Sequence, residues 1–276
     1  MRRYAYVKGH GTLNDFVIVD DQHGMQDLTA EIVVAMCDRR AGIGADGVLR
    51  VVRAAHVPEW DGDPDLWFMD YRNADGSIAE MCGNGLRVFA LHLLEQDWVA
   101  PGDFAVATRA GLRQVRVVPG GLISVSMGNV VVGDTSVDHP RVEIVHGDQR
   151  WPATPVDVGN PHAVVFLDDA ARSSLDLDTA PRWEPADAFP EGVNVEFVTE
   201  RAPGELDMRV FERGSGETMS CGTGVVAAAA AHRAATGFDG TVHVHVAGGD
   251  LWVESSGDEV WLTGPAAIVA SGEFLW

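Results

Sequence analysis

Two short stretches of the chain place a cysteine directly before glycines and an apolar helix. The first reads Met-Cys-Gly-Asn-Gly at residues 81–85, and the second reads Ser-Cys-Gly-Thr-Gly at residues 220–224. The unpaired amides and the positive dipole end at a helix start favour anions, so we expect a thiol there to ionise more easily. The glycines let a ligand approach the backbone amides. Each motif therefore predicts a reactive thiol beside an anion site.

The two motifs lie at equivalent points of the sequence. Cys82 and Cys221 are separated by about half of the 276-residue chain, and they are two of its three cysteines. A strand pattern that carries an asparagine, Asn14 or Asn160, lies upstream of each motif. This arrangement predicts two halves of one architecture, each with a central helix that begins at a cysteine.

Four kinds of chemistry could use two such cysteines. A disulfide switch needs sulfurs in contact, and nucleophilic catalysis leaves the second cysteine unexplained. A metal site needs more ligands, yet neither a C-x-x-C motif nor a close Cys/His spacing accompanies either cysteine, so we expect no metal. In two-base proton transfer, one thiolate removes the proton of a carbon acid and the opposite thiol returns one to the other face. Lys8 is the single lysine and no dinucleotide fingerprint is in context, so we expect no cofactor.

The remaining pattern shows which elements must position the cysteines. Helical periodicity is strongest at 29–39, 85–96 and 223–236. Apolar alternation or short apolar runs predict strands at 15–20, 47–53, 65–71, 112–118, 122–127, 156–158, 163–167, 193–198, 206–211, 241–246, 251–254 and 259–263. Many strands with few helices predict an α/β fold of the α+β type. We expect residues 1–127, joined by a C-terminal strand at 266–276, to form the first half, and residues 128–265 the second.

Composition limits the class of partner. The chain is 46% hydrophobic and 22% charged, as in ordinary globular proteins, and its formal net charge is −21. That charge repels phosphate backbones and anionic membranes, so nucleic acid is not an expected partner. No apolar stretch long enough for a membrane span or a signal peptide is present, and three cysteines make no disulfide framework. We expect a cytoplasmic protein, and a homodimer is one oligomeric state that the sequence leaves open.

Two further groups of residues fit structural roles. Cys37, within "VVAMCDRR", is expected to be a buried helix residue without a chemical role. His243 and His245 lie two apart on a predicted strand and could share one face like metal ligands. With no third ligand nearby in the sequence, a surface or packing role is the expectation for both.

Several blocks together resemble the diaminopimelate epimerase family. They are "GHGTLNDFVIVD", "RRAGIGADGVL", "NADGSIAEMCGNGLRVFA", "VDVGNPHAVVF", "EGVNVEFV" and "RVFERGSGETMSCGTG", in family order from residue 8 to about residue 224. The resemblance implies an epimerase that interconverts LL- and meso-2,6-diaminopimelate without pyridoxal phosphate, on the route to lysine and peptidoglycan precursors. It also implies two pseudo-symmetric halves, each a mixed curled sheet around a central helix, with the active site in the cleft between them.

The resemblance assigns roles to particular residues. Cys82 and Cys221 match the acid/base pair, and His162 and Glu212 match the residues that adjust their protonation. The residues implied to bind the substrate are Asn14, Asn73, Gly83, Asn84, Asn160, Asn194, Glu212, Arg213, Gly222 and Thr223. Arg213 suits a carboxylate because its guanidinium binds two oxygens at once. Preorganised helix-start amides would stabilise the charge that develops on the reacting carboxylate.

Two departures from the family pattern bear on substrate binding. Gly47 stands where the family often has glutamine, and "GTLNDF" replaces the commoner Gly-x-Gly-Asn-Asp-Phe. The alternatives are a two-cysteine racemase of proline or hydroxyproline, and a non-enzymatic binding protein or thiol redox switch. The polar set Asn160, Asn194 and Arg213 favours a substrate with two charged ends over a compact ring. Both cysteines together with His162 and Glu212 favour an enzyme.

Overall fold

The computed structural model describes residues 2–133, 142–257 and 259–276. The strands in these ranges are Arg3–Gly11 (β1), Asn14–Asp20 (β2), Gly47–Arg53 (β3), Trp67–Asn73 (β4), Phe104–Thr108 (β5), Gly111–Val118 (β6), Leu122–Gly128 (β7), Val131–Val132 (β8), Val142–His146 (β9), Gln149–Asp157 (β10), Pro161–Phe166 (β11), Arg182–Glu184 (β12), Asn194–Ala202 (β13), Glu205–Glu212 (β14), Gly216–Thr218 (β15), Val242–Val246 (β16), Gly249–Ser256 (β17), Glu259–Gly264 (β18) and Ala267–Leu275 (β19). The α-helices are Ala30–Cys37 (α1), Gly83–Glu95 (α2), Asp169–Ser173 (α3) and Gly222–Thr236 (α4). The fold is mixed α/β, as predicted.

The chain divides into two compact units. The first comprises Met1–Ser126 with Thr263–Trp276, and the second comprises Met127–Leu262. No helix among the described residues is long and apolar enough to cross a membrane.

The sheet of the first unit runs in the order β19, β1, β2, β3, β4, β5, β6, β7. The first two pairings are antiparallel, β2 and β3 are parallel, β3 and β4 are antiparallel, and β4 and β5 are parallel. Helix α2 contacts β19 and all of β1 to β4, so the sheet curls around it. Its side chains Leu86, Phe89 and Leu93 are fully buried. Because α2 is buried over most of its length, it forms the core of this unit.

The main sheet of the second unit repeats this order of pairings. It runs β8, β10, β11, β13, β14, β16, β17, with β11 parallel to β13 and β14 parallel to β16, and every other pair antiparallel. A smaller sheet pairs β9 with β10 and β12. Helix α4 contacts all seven strands of the main sheet. Its run Ala227–Ala229 is fully buried, because only small side chains let strands approach from several sides.

Helix positions agree with the sequence prediction within a few residues. The predicted segments 29–39, 85–96 and 223–236 correspond to α1, α2 and α4. Cys37 is buried at the end of α1, as expected, and burial raises the pKa of its thiol to about 11. The two pseudo-symmetric halves, each with a mixed sheet around a central helix, are present.

Candidate active site

The first helix start gathers Cys82, Asn84 and Asn14. Cys82 is the N-cap of α2, and its sulfur accepts a hydrogen bond from the Gly85 amide at 3.4 Å. The amide oxygen of Asn14 accepts from Cys82 Sγ at 3.7 Å and from Asn84 Nδ2 at 3.3 Å. Asn14 is itself held because its Nδ2 donates to Asp46 Oδ2 at 2.7 Å. The predicted residues of this motif therefore form one hydrogen-bonded group.

A buried cation lies in the first turns of the same helix. Arg87 is fully buried, and among the described residues its guanidinium donates to neutral oxygens of Thr12, Gly83 and Pro265, at 3.2–3.4 Å. Burial lowers the pKa of Arg87 to about 10, and Coulomb attraction to Cys82 opposes that shift. Arg87 therefore remains charged at neutral pH. The sequence analysis missed it; the visible signal is one arginine within the apolar run "LRVFALHLL".

Asn73 lies apart from the cysteine group. Its Nδ2 donates to Ser77 Oγ at 3.0 Å in the turn after β4, and among the described residues its hydrogen bonds do not lead to Cys82. Asn73 faces Gly47 across the β3–β4 pair. A Cβ at Gly47 would lie 2.5 Å from the Arg72 carbonyl oxygen and 2.6 Å from the Tyr71 ring. The structure thus leaves no room for a side chain where the family often has glutamine.

The second departure produces backbone strain. Leu13, in "GTLNDF", has φ of 62°, and the preceding Thr12 has φ of 50°. Residues with a Cβ rarely adopt this left-handed region, whereas glycine does so at no steric cost. The tight turn between β1 and β2 therefore explains why glycine is common at this position in the family.

The second helix start gathers Cys221, Thr223 and Asn160. Cys221 is the N-cap of α4, and its sulfur accepts from the Gly224 amide at 3.4 Å. Its sulfur also lies 3.5 Å from Thr223 Oγ1, to which Asn160 Nδ2 donates at 3.4 Å. The local geometry repeats that of α2. In each unit a hydrogen-bonded asparagine lies at the start of a strand, Asn14 in β2 and Asn160 directly before β11.

A fully buried histidine–carboxylate pair extends this group. His162 Nε2 lies 3.0 Å from Asn160 Oδ1, and His162 Nδ1 lies 2.7 Å from Glu196 Oε1. His162 and Glu196 are both fully buried. Because an amide oxygen only accepts, Nε2 must donate to Asn160, and Nδ1 and Glu196 then share one further proton. The sequence analysis missed Glu196; the signal is a charged residue between Val195 and Phe197 in a strand that is buried on both faces.

The glycine of the helix start leaves space for this carboxylate. A Cβ at Gly224 would lie 2.7 Å from Glu196 Oε1 and 3.3 Å from Cys221 Cβ. The other oxygen, Glu196 Oε2, has no hydrogen-bond partner among the described residues. The last glycine of Cys-Gly-x-Gly therefore has a packing reason in this unit, because it lets a buried acid approach the helix.

Glu212 brings a second carboxyl group to Cys221. Its Oε1 accepts from the Thr218 hydroxyl. Burial raises the pKa of Glu212, negative charge on Glu196 adds to the rise, and hydrogen bonds from Thr218 and Cys221 oppose it. Glu212 thus lies beside the thiol, as the family motif implies.

The expectation that a helix start makes the thiol more acidic is wrong for Cys221. Burial raises the pKa of the Cys221 thiol well above its ordinary value, and the charges of Glu212 and Glu196 raise it further. Hydrogen bonds with Thr223 and the Gly224 amide act in the opposite direction, with smaller effect. Desolvation of a thiolate beside two carboxyl groups outweighs the helix-start amides.

Asn194 and Arg213 form a separate pair in the second unit. Asn194 Oδ1 accepts from the Arg213 amide at 2.9 Å, and Asn194 Nδ2 donates to the Pro161 carbonyl at 3.2 Å. The Arg213 side chain is exposed, and among the residues that the structure describes its guanidinium makes one hydrogen bond, from Nη1 to the Glu191 carbonyl at 3.1 Å. Its guanidinium therefore keeps donors for a carboxylate, while Asn194 fixes its backbone.

Solved structures with this fold include racemases and epimerases. A phenazine biosynthesis protein of the PhzF family from Bacillus anthracis matches with a TM-score of 0.72 at 15% identity, over 100% of both chains. A hydroxyproline epimerase from Agrobacterium vitis matches with a TM-score of 0.67 at 14% identity, over 99% of this chain and 92% of that chain. These likenesses define the fold class.

Sequence comparison defines the family. The family model described as diaminopimelate epimerase matches residues 6–133 and 154–269. The diaminopimelate epimerase of Streptomyces coelicolor is 51% identical, over 99% of this chain and 96% of the relative. That of Thermobifida fusca is 50% identical, over 97% of both. The chain belongs to the diaminopimelate epimerase family, whose members are isomerases.

Proposed function

We propose that the protein interconverts LL- and meso-2,6-diaminopimelate by two-base proton transfer at the α-carbon, with Cys82 and Cys221 as the two bases. Membership of the family supports diaminopimelate as the substrate. The observation that carries the mechanism is that both cysteines cap a buried helix and accept from a helix-start amide, with Asn14 bonded to Cys82 and Asn160 linked to Cys221 through Thr223. One thiolate removes the α-proton and the other thiol protonates the opposite face, so the stereocentre inverts and the two sulfurs exchange protonation states.

The surroundings of the cysteines support different resting states. The buried cation Arg87 attracts charge at Cys82, whereas Glu212 and Glu196 repel charge at Cys221. Two-base catalysis needs one thiolate and one thiol when the substrate binds. We therefore assign the thiolate to Cys82, which gives up the proton that its thiol donates to Asn14 Oδ1, and the thiol to Cys221 at the start of a turnover, with the opposite assignment after it.

His162 and Glu212 would control the proton of Cys221. Glu212 lies beside the thiol, and the pair His162 and Glu196 is linked to it by hydrogen bonds through Asn160 and Thr223. When Cys221 becomes a thiolate, a carboxyl group that holds its proton repels it less than a carboxylate does. Groups that retain protons around Cys221 therefore make its reverse step, the removal of the α-proton, possible near neutral pH.

Substrate recognition would use the helix-start amides and the polar groups around them. The first amides of a helix lack intrahelical acceptors, so those of Gly83 with Asn84 and of Gly222 with Thr223 suit the reacting carboxylate. Their stabilisation grows as the α-carbon loses its proton, which lowers the barrier. Arg213 suits the distal carboxylate. The asparagines Asn14, Asn73, Asn160 and Asn194 supply donors and acceptors for the ammonium and carboxylate groups.

The cellular setting follows from the thiols. Among the described residues, Cys37, Cys82 and Cys221 form no disulfide. A mechanism that uses two reduced cysteines needs a reducing compartment, so we place the reaction in the cytoplasm. A homodimer is the oligomeric state that we would test first, by light scattering of the purified protein.

Incubation of the purified protein with LL-diaminopimelate in D₂O tests the proposal. The expected product is meso-diaminopimelate with deuterium at the inverted α-carbon, because a two-base site delivers a solvent-derived proton to the product face. L-Proline and trans-4-hydroxy-L-proline serve as parallel substrates. Inversion of either proline, with none of diaminopimelate, would assign the chain to the competing racemase activity. Absence of α-deuterium in all three would refute proton transfer.

A further inference from the structure

Three strands of the second unit bring metal-binding side chains to one outer face. On β16, His243 and His245 alternate with the buried Val242 and Val244, so both imidazoles point to the same partly exposed face. The parallel neighbour β14 pairs Glu205 with His243. The sequence shows the two histidines, but the glutamate lies 38 positions from the nearer one, so only the fold supplies the third ligand.

The side chains are already in contact. His245 Nε2 lies 3.0 Å from Glu205 Oε1, and one ligand atom from each of Glu205, His243 and His245 lies within 4.8 Å of the others. The antiparallel neighbour β17 adds Asp250, whose Oδ1 lies 2.5 Å from His245 Nδ1 and 3.0 Å from His243 Nε2.

We propose that Glu205, His243 and His245 form a binding site for a divalent cation of the zinc class, with Asp250 orienting His245. Two imidazoles with a carboxylate suit Zn²⁺, Co²⁺ and Ni²⁺, whereas Mg²⁺ and Ca²⁺ prefer oxygen ligands. The site is separate from the epimerase chemistry, because in the described part of the chain its residues form no hydrogen bond with either cysteine group.

The distance between two of the three ligand atoms fits a tetrahedral ion. Bonds of about 2.0 Å from zinc to nitrogen and oxygen place two tetrahedral ligands about 3.3 Å apart. The 3.0 Å between His245 Nε2 and Glu205 Oε1 is close to that value. To complete the set, the His243 ring must exchange its contact with Asp250 for the ion.

Asp250 gives His245 the required tautomer. When its carboxylate accepts from the Nδ1 proton, the lone pair on Nε2 faces Glu205 and is free to bind a cation. Carboxylate–histidine–metal arrangements of this kind fix the ring and raise its basicity. Trp252 stacks on His243 with ring centroids 4.8 Å apart and restricts the second ring. The net charge of −21 favours a cation over an anion at this face.

A bound ion would link β14, β16 and β17 through side chains as well as through the backbone. An ion that binds the folded state alone stabilises it by mass action. The expected role is structural, so metal should raise the thermal midpoint of the protein without being needed for epimerisation.

The test is Co²⁺ titration of metal-free protein that carries Cys82→Ser and Cys221→Ser, which removes competing thiolates. We expect one Co²⁺ per chain, visible absorption bands of low-symmetry cobalt without a sulfur charge-transfer band, and displacement by Zn²⁺. In the same background, His245→Asn and, separately, Glu205→Gln should weaken binding by more than about tenfold, and Asp250→Asn by about tenfold. Zn²⁺ should raise the thermal midpoint of the parent but not that of the His245→Asn and Glu205→Gln variants.

The matched control is His23→Asn, because His23 and His56 also form a histidine pair, with ring centroids 6.5 Å apart. This variant should bind Co²⁺ like the parent. Equal binding in the parent, His245→Asn and Glu205→Gln would overturn the site, as would absence of stoichiometric binding. A sulfur charge-transfer band would assign the ion to Cys37 and would overturn it too. If His245→Asn does not fold, judged by its circular dichroism, Glu205→Gln alone decides.

Discussion

The two helix starts share a backbone plan but differ in what surrounds the cysteine. In the first unit, the parallel strands β2 and β3 place Phe16 opposite Gly47, with Leu49 two residues further along. In the second unit, the parallel strands β11 and β13 place His162 opposite Asn194, with Glu196 two residues further along. The apolar pair Phe16 and Leu49 therefore corresponds, position for position, to the buried pair His162 and Glu196.

The third residue of each helix is a glycine, and the two glycines have different neighbours. A Cβ on Gly85 would meet Leu49 at 3.3 Å and Phe16 at 3.4 Å, whereas a Cβ on Gly224 would meet Glu196 at 2.7 Å. The first helix carries its own buried charge, Arg87, instead. Both units thus have a cysteine cap and helix-start amides, but the buried charge near the helix start is positive in the first unit and negative in the second. That difference suits a reaction that begins with one thiolate and one thiol.

The largest effect is expected from removal of either sulfur. Cys82→Ala and Cys221→Ala should each lower kcat by about 10² to 10⁴-fold, because one face of the carbanion then lacks its proton carrier. Steady-state epimerisation in both directions measures this. Cys37→Ala is the matched control, since Cys37 lies in α1 outside both groups, and it should retain activity. Near-normal turnover by either active-site variant would contradict the two-base mechanism, since only one helix start would then be catalytic.

A smaller effect is expected from neutralising the buried acid of the second unit. Glu196→Gln removes a charge-assisted hydrogen bond to His162, which is worth about 1.5–3 kcal/mol, so kcat/KM should fall by about 10- to 100-fold. Negative charge on Glu196 raises the pKa of Cys221, so its removal should lower that pKa. The pH midpoint for alkylation of Cys221 by iodoacetamide, followed by peptide mapping, should therefore move to lower pH.

Glu217→Gln is the control for this measurement. Glu217 is exposed and paired with Arg209, so its loss should leave both activity and the alkylation midpoint of Cys221 unchanged. If Glu196→Gln lowers activity but the midpoint stays in place, Glu196 acts through packing alone. The proposed difference in charge between the two helix starts would then not affect the pKa of Cys221.

A stability difference is expected between the two helix-start glycines. Gly224→Ala pushes a methyl group against a buried, hydrogen-bonded carboxylate, and such overpacking costs about 1–3 kcal/mol. Gly85→Ala meets two apolar side chains that need to give by a few tenths of an ångström. The higher helix propensity of alanine, about 1 kcal/mol, offsets that strain. Urea unfolding should show a clear loss for Gly224→Ala and little change for Gly85→Ala, and equal losses would contradict the packing argument.

The repeated halves and the helix starts could be predicted from the sequence because local signals carry them. The sequence contains two Cys-Gly-x-Gly motifs before apolar runs, and α2 and α4 begin where these motifs predict. The substrate class follows from whole-chain similarity. The strand prediction missed the short edge strands β8, β12 and β15, because two or three residues carry too little periodicity, and it also missed the longer strands β1, β5 and β9.

The charges around each cysteine could not be predicted, because they depend on tertiary neighbours. The amides and dipole at a helix start predict an acidic thiol. They do not reveal that Cys221 is buried beside two carboxyl groups from β13 and β14. The role of Glu196 depends on the parallel register with β11, and that of Arg87 depends on burial of the whole helix. Likewise, the carboxylate near His243 and His245 is distant in sequence.

The smallest effect concerns how stability depends on the ionisation of Glu212. Its pKa in the folded protein is raised above the ordinary value of 4.5, so the folded state holds a proton that the unfolded chain has already released. Stability from this group is present below about pH 4.5 and is lost as pH rises through the folded pKa, by at most about 1.4 kcal/mol for each pH unit of that window. Glu212→Gln has no proton to lose. The free energy of unfolding of the wild type minus that of Glu212→Gln, from urea titrations at several pH values, should therefore fall as pH rises from 4.5. A difference that stays constant or rises would mean that the Glu212 carboxylate is well solvated or paired, and that burial does not hold a proton on this group.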